Sequence, residues 1–142
     1  MAAIDQTMVS NILNATLPTG TTGKPSAFTA LSSAGGMKVR LTSTDSSASA
    51  AGTTLTGTGY SDTVLTTSST ASSAGSAVTL PAVSGGISWT NGSGGNWTIH
   101  SVEVQDNANA RAWFGNFTGD PVTVANGNTF AIAQNAISVS LS

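Results

Sequence analysis

Few side chains in this sequence could move a proton, attack a bond or hold a metal. They are His100, Glu103, five Asp (Asp5, Asp45, Asp62, Asp106 and Asp120), Lys24, Lys38, Arg40 and Arg111, with no Cys. The run His100-Ser101-Val102-Glu103 puts a base, a hydroxyl and an acid within four positions. It lies in a strand-like segment, where adjacent side chains point to opposite faces, so His100 and Ser101 cannot meet. A triad would need a distant Ser, and with 21 Ser in the chain no particular one is marked out. Glycoside hydrolysis needs two carboxyls about 5 to 10 Å apart. Asp45, Asp62, Asp106 and Asp120 all stand in turn-like contexts, where capping of the turn explains them. One His, no Cys and no clustered acids leave no transition-metal ligand set. A calcium site built from loop Asp and carbonyls stays open.

The remaining motifs are weak. Gly57-Thr58-Gly59-Tyr60-Ser61-Asp62 lacks the third Gly of a dinucleotide fingerprint, and no helix is expected after it. Asn14-Ala15-Thr16, Asn91-Gly92-Ser93, Asn96-Trp97-Thr98 and Asn116-Phe117-Thr118 fit the glycosylation pattern, as chance dictates in a chain so rich in Ser and Thr. Trp89, Trp97, Trp113 and Tyr60 could form a sugar-binding platform. The competing reading is that Trp113, Phe114 and Phe117 fill the core of a domain poor in other large residues. Neither an enzymatic activity nor a cofactor is expected.

Composition points the same way. Ser, Thr, Ala and Gly occupy 79 of the 142 positions. Charged residues make up 7%, against roughly 25% in an ordinary soluble domain. Disordered chains combine low hydrophobicity with high net charge. Here 39% of residues are hydrophobic and the net charge is −2, so a folded chain with a hydroxyl-rich, nearly uncharged surface is expected. Such a surface has little colloidal repulsion and permits association. Four scattered basic residues make no phosphate-neutralising patch, so no nucleic acid is expected as partner. No apolar run approaches a membrane span of about 18 residues. Residues 1–10 lack the basic and apolar regions of a signal peptide.

The elements that must position these residues are mostly short strands. First comes an expected helix over 4–17, with Ile4, Met8, Ile12 or Leu13, and Leu17 at helical spacing and Asp5, Gln6, Ser10, Asn11 and Asn14 opposite. Pro18-Thr19-Gly20 ends it. A helix this short is marginal in water, so its apolar stripe docks either on its own domain or on a neighbouring subunit. Met37, Val39 and Leu41 alternate with Lys38 and Arg40, the pattern of a half-buried strand. Residues 42–52 hold no large apolar side chain and read as an exposed loop, and a weaker strand covers 60–67.

Ile87 to Thr90 form a strand between glycine-rich turns. From Trp97 to Val104 the alternation slips, which implies burial on both faces or a bulge. Arg111 to Phe117 read as an aromatic strand. Val122 and Val124, then Phe130 and Ile132, flank the hairpin turn Asn126-Gly127-Asn128. Ile137, Val139 and Leu141 alternate with Ser138, Ser140 and Ser142. The expected core is Val39, Leu41, Trp113, Phe117, Phe130, Ile137, Val139 and Leu141. Short strands with turns at this spacing predict an all-β, antiparallel β-sandwich or jelly-roll-like domain over 25–142. Residues 1–24 form a short N-terminal helix or arm with its connector.

This order of segments resembles a loose family of small tail-fibre-like structural proteins of tailed bacteriophages. The matching pieces are the helix around Val9-Ser10-Asn11-Ile12-Leu13-Asn14-Ala15, the strand at Met37 to Thr42 and Gly57-Thr58-Gly59-Tyr60. The C-terminal strands at Ala112 to Phe117, Pro121 to Phe130 and Ala136 to Leu141 carry most of the likeness. The resemblance implies a non-enzymatic virion component, commonly a homotrimer, assembled in the host cytoplasm. Its partners would be its own copies and the major capsid protein or tail proteins. Shortness favours a capsid decoration or short head fibre protein on the outer surface. A tail fibre or tail-tip component, or a carbohydrate-binding β-sandwich module that attaches to host surface glycan, is the alternative.

Overall fold

A computed structural model of the chain describes residues 3–4, 37–65, 70–71, 77–80, 84–106, 108–119 and 121–140. Among the described residues every regular element is a strand, and every pairing is antiparallel. In chain order they are β1 (Ala3–Ile4), β2 (Met37–Thr42), β3 (Thr63–Leu65), β4 (Thr70–Ala71), β5 (Ala77–Leu80) and β6 (Ile87–Thr90). There follow β7 (Trp97–Ile99), β8 (Ser101–Gln105), β9 (Arg111–Asn116), β10 (Val122–Val124), β11 (Thr129–Ile132) and β12 (Ile137–Ser140).

The registers reveal one long interrupted hairpin centred on the turn at 106–110. From that turn outward, Val104 faces Trp113, Ser101 faces Asn116, Ile99 faces Val122 and Trp97 faces Val124. Continuing, Thr90 faces Thr129, Ile87 faces Ile132, Leu80 faces Ile137 and Ala77 faces Ser140. Thus β5 to β8 run out along one arm and β9 to β12 return along the other. The ribbon is interrupted where turn residues crowd, at 91–96 opposite 125–128, and again at Gly85 and Gly86 opposite Asn135, all three with positive φ. Against this ribbon lies β2, between β8 and β3, in a five-stranded sheet of order β1-β9-β8-β2-β3.

Alternation then decides what is buried. Val39 and Leu41 of β2 and Val104 of β8 turn to one side and meet Ile87, Trp89, Trp97, Ile99, Val124, Ile132 and Leu55 in a single cluster. Trp113, Phe117, Phe130 and Ile137 pack half-buried against it. The slip between Trp97 and Val104 falls at His100, whose backbone N–H bonds Thr42 O and whose carbonyl accepts from Phe117 N, both at 2.9 Å. Past that pivot the opposite residues, Ser101, Glu103 and Gln105, are buried as well. A second irregularity, between Val104 and Gln105, leaves Ala112 as the extra residue of β9.

Three sequence expectations need correction or placement. Ile4 stands in the two-residue strand β1 opposite Trp113, and the rest of the expected helix over 4–17 lies outside the described residues. Met8, Ile12 and Leu17 lie outside the described residues, as does Leu141; Val139 stands in β12 opposite Val78. The segment 42–52 is not simply an exposed loop. Ser46 and Gly52 are buried, since the segment folds back on the sheet through Ser43 N to Thr53 O at 2.8 Å and Leu55 N to Leu41 O at 2.9 Å.

Candidate functional site

The face of the five-stranded sheet away from the core carries the chain's one Glu. Glu103 stands opposite Arg40 on β2 and Phe114 on β9, and its side chain is fully buried. A carboxylate without water must collect donors, and this one has four. Its Oε1 accepts from Ser46 Oγ at 2.8 Å, Gly52 N at 3.0 Å and Arg111 Nη1 at 3.1 Å; its Oε2 accepts from Gln105 Nε2 at 3.3 Å. The Arg111 guanidinium also donates to Ala50 O at 2.8 Å and Ser47 O at 2.6 Å, and its carbon lies 4.9 Å from the centre of the Phe114 ring. Ser46 Oγ shares a 2.7 Å bond with Ser101 Oγ, which pairs in turn with Thr42 Oγ1. Asn116 clamps the same Ser46 backbone from both sides, accepting from its N–H at 3.0 Å and donating to its carbonyl at 2.9 Å. Glu103, Arg111, Ser101, Thr42 and Asn116 together fasten the 43–54 loop to the sheet.

A second polar centre sits at the sheet's other margin. The Tyr60 hydroxyl accepts from Leu41 N at 2.8 Å and donates to Asp62 Oδ1 at 2.9 Å. Asp62 Oδ2 receives Arg40 Nε and Nη2 at 3.2 and 3.1 Å. Burial, followed by the neighbouring Asp62 carboxylate, pushes the phenol's pKa well up from its ordinary value of 10.0. The Tyr60 ring lies between the indoles of Trp89 and Trp97.

Asn91 forms the third centre, and it is fully buried. Its Nδ2 donates to Gly95 O at 2.8 Å and Val124 O at 2.7 Å, and its Oδ1 accepts from Ser93 N at 2.9 Å and Ser93 Oγ at 2.7 Å. Its backbone exchanges bonds with the facing turn, N to Asn128 O at 2.9 Å and O from Gly127 N at 2.7 Å.

These three centres bring together residues that the sequence scatters, while His100 stays apart from Ser101 and Glu103. His100 Nδ1 reaches Asp45 Oδ1 at 3.3 Å, at a site where Asp45 is 72% exposed. Ser101 and Glu103 turn into the sealed cluster on the other side. Trp89 and Trp97 lie in the core at 4% and 2% exposure, so they offer no open platform for a sugar ring. Among the described residues no group of three or more His, Asp or Glu could hold a metal ion, and no helix is long and apolar enough to cross a membrane. Sequence reasoning missed the Glu103 and Asn91 centres. The available signal was a Glu in phase with Ser101 and Gln105 on a strand whose other face is Val102 and Val104.

Comparison with known proteins brings no relative: no family model, no curated protein and no solved structure matches this chain.

Proposed function

We propose that this chain is a non-enzymatic structural component of a tailed-phage virion, a homotrimeric capsid decoration or short head fibre protein on the outer surface. The single observation that carries the reading is where the fold spends its polar side chains. Glu103, Arg111, Ser46, Ser101 and Asn91 all bind groups of the chain itself and serve to hold its loops and turns to the strands. On β6, β7, β10 and β11 the fully exposed positions are small and uncharged: Ser88, Thr90, Thr98, Thr123, Thr129 and Ala131. Such a surface suits close contact between copies, and closed cyclic symmetry is the usual form of such assemblies.

The same reading gives the fold a finer description, a jelly-roll-like domain. In support, a long hairpin folded across its own middle, with β6 on β11 and β7 on β10, is the winding from which jelly rolls are built. The test is direct. The purified chain, sized by light scattering, should be a trimer, and it should bind in many copies to phage particles assembled without it. A monomer that leaves those particles bare would sink the proposal.

A further inference from the structure

The sequence contains two Asn-Gly pairs, Asn91-Gly92 and Asn126-Gly127, and the fold brings both to the corner where the long hairpin bends. Asn-Gly is the dipeptide most prone to lose ammonia, because Gly leaves the following backbone nitrogen sterically open. That nitrogen attacks the Asn Cγ, so an N–Cγ bond forms and the Cγ–Nδ2 bond breaks. Ammonia departs and a five-membered imide remains. Water then opens the ring at either carbonyl to give aspartate or isoaspartate, with no electrons exchanged. The reaction requires a free Gly nitrogen and a carboxamide able to swing over it.

The fold treats the two pairs differently. At the first, Asn91 is fully buried and all four of its carboxamide bonds are made. Gly92 N is held by Thr58 O at 2.9 Å. Freeing this pair means lifting 57–59 away and breaking the bond to β10. At the second, Asn126 is exposed, and its Oδ1 accepts from Gly94 N at 2.9 Å. Gly127, at φ +85°, lies in an exposed turn closed by Asn128 N to Ala125 O at 3.0 Å. Its nitrogen, like that of Gly92, has one backbone acceptor, here Asn91 O at 2.7 Å, so the two sites differ in the burial and bonding of the Asn side chain. The strands on either side, β10 and β11, pair with β7 and β6 and not with each other, and local opening of such an exposed turn costs far less than opening a core.

We infer that Asn126 is the intrinsic deamidation site of this protein, reached by fraying of the 125–128 turn, and that Asn91 is its shielded counterpart, reached only by unfolding. The isoaspartate product adds a methylene to the backbone between β10 and β11, so ageing acts on the turn that holds the folded ribbon together. This inference rests on the corner geometry and does not depend on a virion role.

Trypsin makes the test simple, since Arg111 separates the two sites onto different peptides, 41–111 and 112–142. The intact chain is held at mildly alkaline pH below its unfolding temperature, and in parallel in concentrated guanidinium chloride. Aspartate and isoaspartate are then located by fragmentation mass spectrometry. In the folded chain Asn126 should convert on the order of tenfold or more faster than Asn91, because the rate follows the population of the open form. In denaturant the two should agree within about threefold, both faster than in the folded chain, as two Asn-Gly pairs in open chain must. Comparable rates in the folded protein, a faster Asn91, or no conversion of Asn126 before global unfolding would each overturn the assignment.

Discussion

Arg111 stands opposite Gln105 and reaches diagonally across to Glu103 on the neighbouring strand, with 3.1 Å between Nη1 and Oε1 and side chains 7% and 0% exposed. An ion pair so dry is costly to make, and its attraction repays that cost only when the remaining valences are filled. Here they are filled by the 43–54 loop: Ser46 Oγ and Gly52 N complete the carboxylate, and the carbonyls of Ser47 and Ala50 complete the guanidinium. The pair therefore does more than join β8 to β9. It fixes a Ser- and Ala-rich loop that has almost no apolar side chain with which to dock.

Removing both partners should therefore cost less than the summed costs of removing each alone. Glu103→Ala leaves the Arg111 charge buried and should destabilise by about 3 to 5 kcal/mol. A double-mutant cycle with Arg111→Ala, followed by urea unfolding, should show the double variant losing clearly less than the sum of the singles. Additive losses would mean the two groups act independently. Glu103→Gln is the milder control, because Gln105, whose Oε1 is buried without a partner, can turn its amide over so that this oxygen accepts from the new one.

The same loop closure makes Gly52 sensitive to a single methyl. A Cβ there would lie 2.6 Å from Thr44 O and 2.8 Å from Thr42 Cβ, both fixed parts of the fold. Gly52→Ala should thus destabilise by about 1 to 3 kcal/mol through overpacking. Gly95→Ala, where a Cβ meets nothing within 4 Å, should stay within about 0.5 kcal/mol of the parent. Equal midpoints for the two variants in chemical unfolding would contradict the loop placement.

Tyr60 supplies a pH dependence whose sign is fixed. Its pKa is raised in the fold, so the neutral phenol is the form the fold favours, and the contribution is fully present below the unfolded value of 10.0. As pH climbs above that value the unfolded chain ionises first and stability falls. Denaturant midpoints measured upward from about pH 9 should decline for the parent and decline less for Tyr60→Phe. Parallel declines would show that other groups carry the alkaline loss.

How much of this was legible in the sequence differs by element. Met37 to Leu41 and Ile137 to Ser140 display period-two alternation in sequence, and both are strands. Val39 and Leu41 are fully buried, as their phase requires. The nested pairing was not legible, since it depends on which distant strands meet, and short strands of Ser, Thr and Val carry little to specify a partner. The polar centres were hidden for a related reason. A buried Glu or Asn looks like any surface residue until its donors are known, and the donors of Glu103 lie as far away in the chain as Ser46 and Gly52.

The last prediction concerns how copies hold together. Ten charged side chains in the whole sequence leave few to spare for contacts between copies, and Arg40, Asp62, Glu103 and Arg111 are already paired within the chain. Under the virion reading, trimer and particle contacts must then be made from apolar and hydroxyl groups. Salt screens exposed charge pairs over about 8 to 10 Å at physiological strength and about 3 Å at 1 M, but it has little to act on in an uncharged interface. The trimer, followed by light scattering, should survive a rise from about 0.1 to about 1 M NaCl, and particle-bound copies should resist the same wash. Urea, which solvates apolar and peptide groups, should release them. Dissociation by moderate salt alone would place charge pairs at the interface and refute an assembly held by neutral contacts.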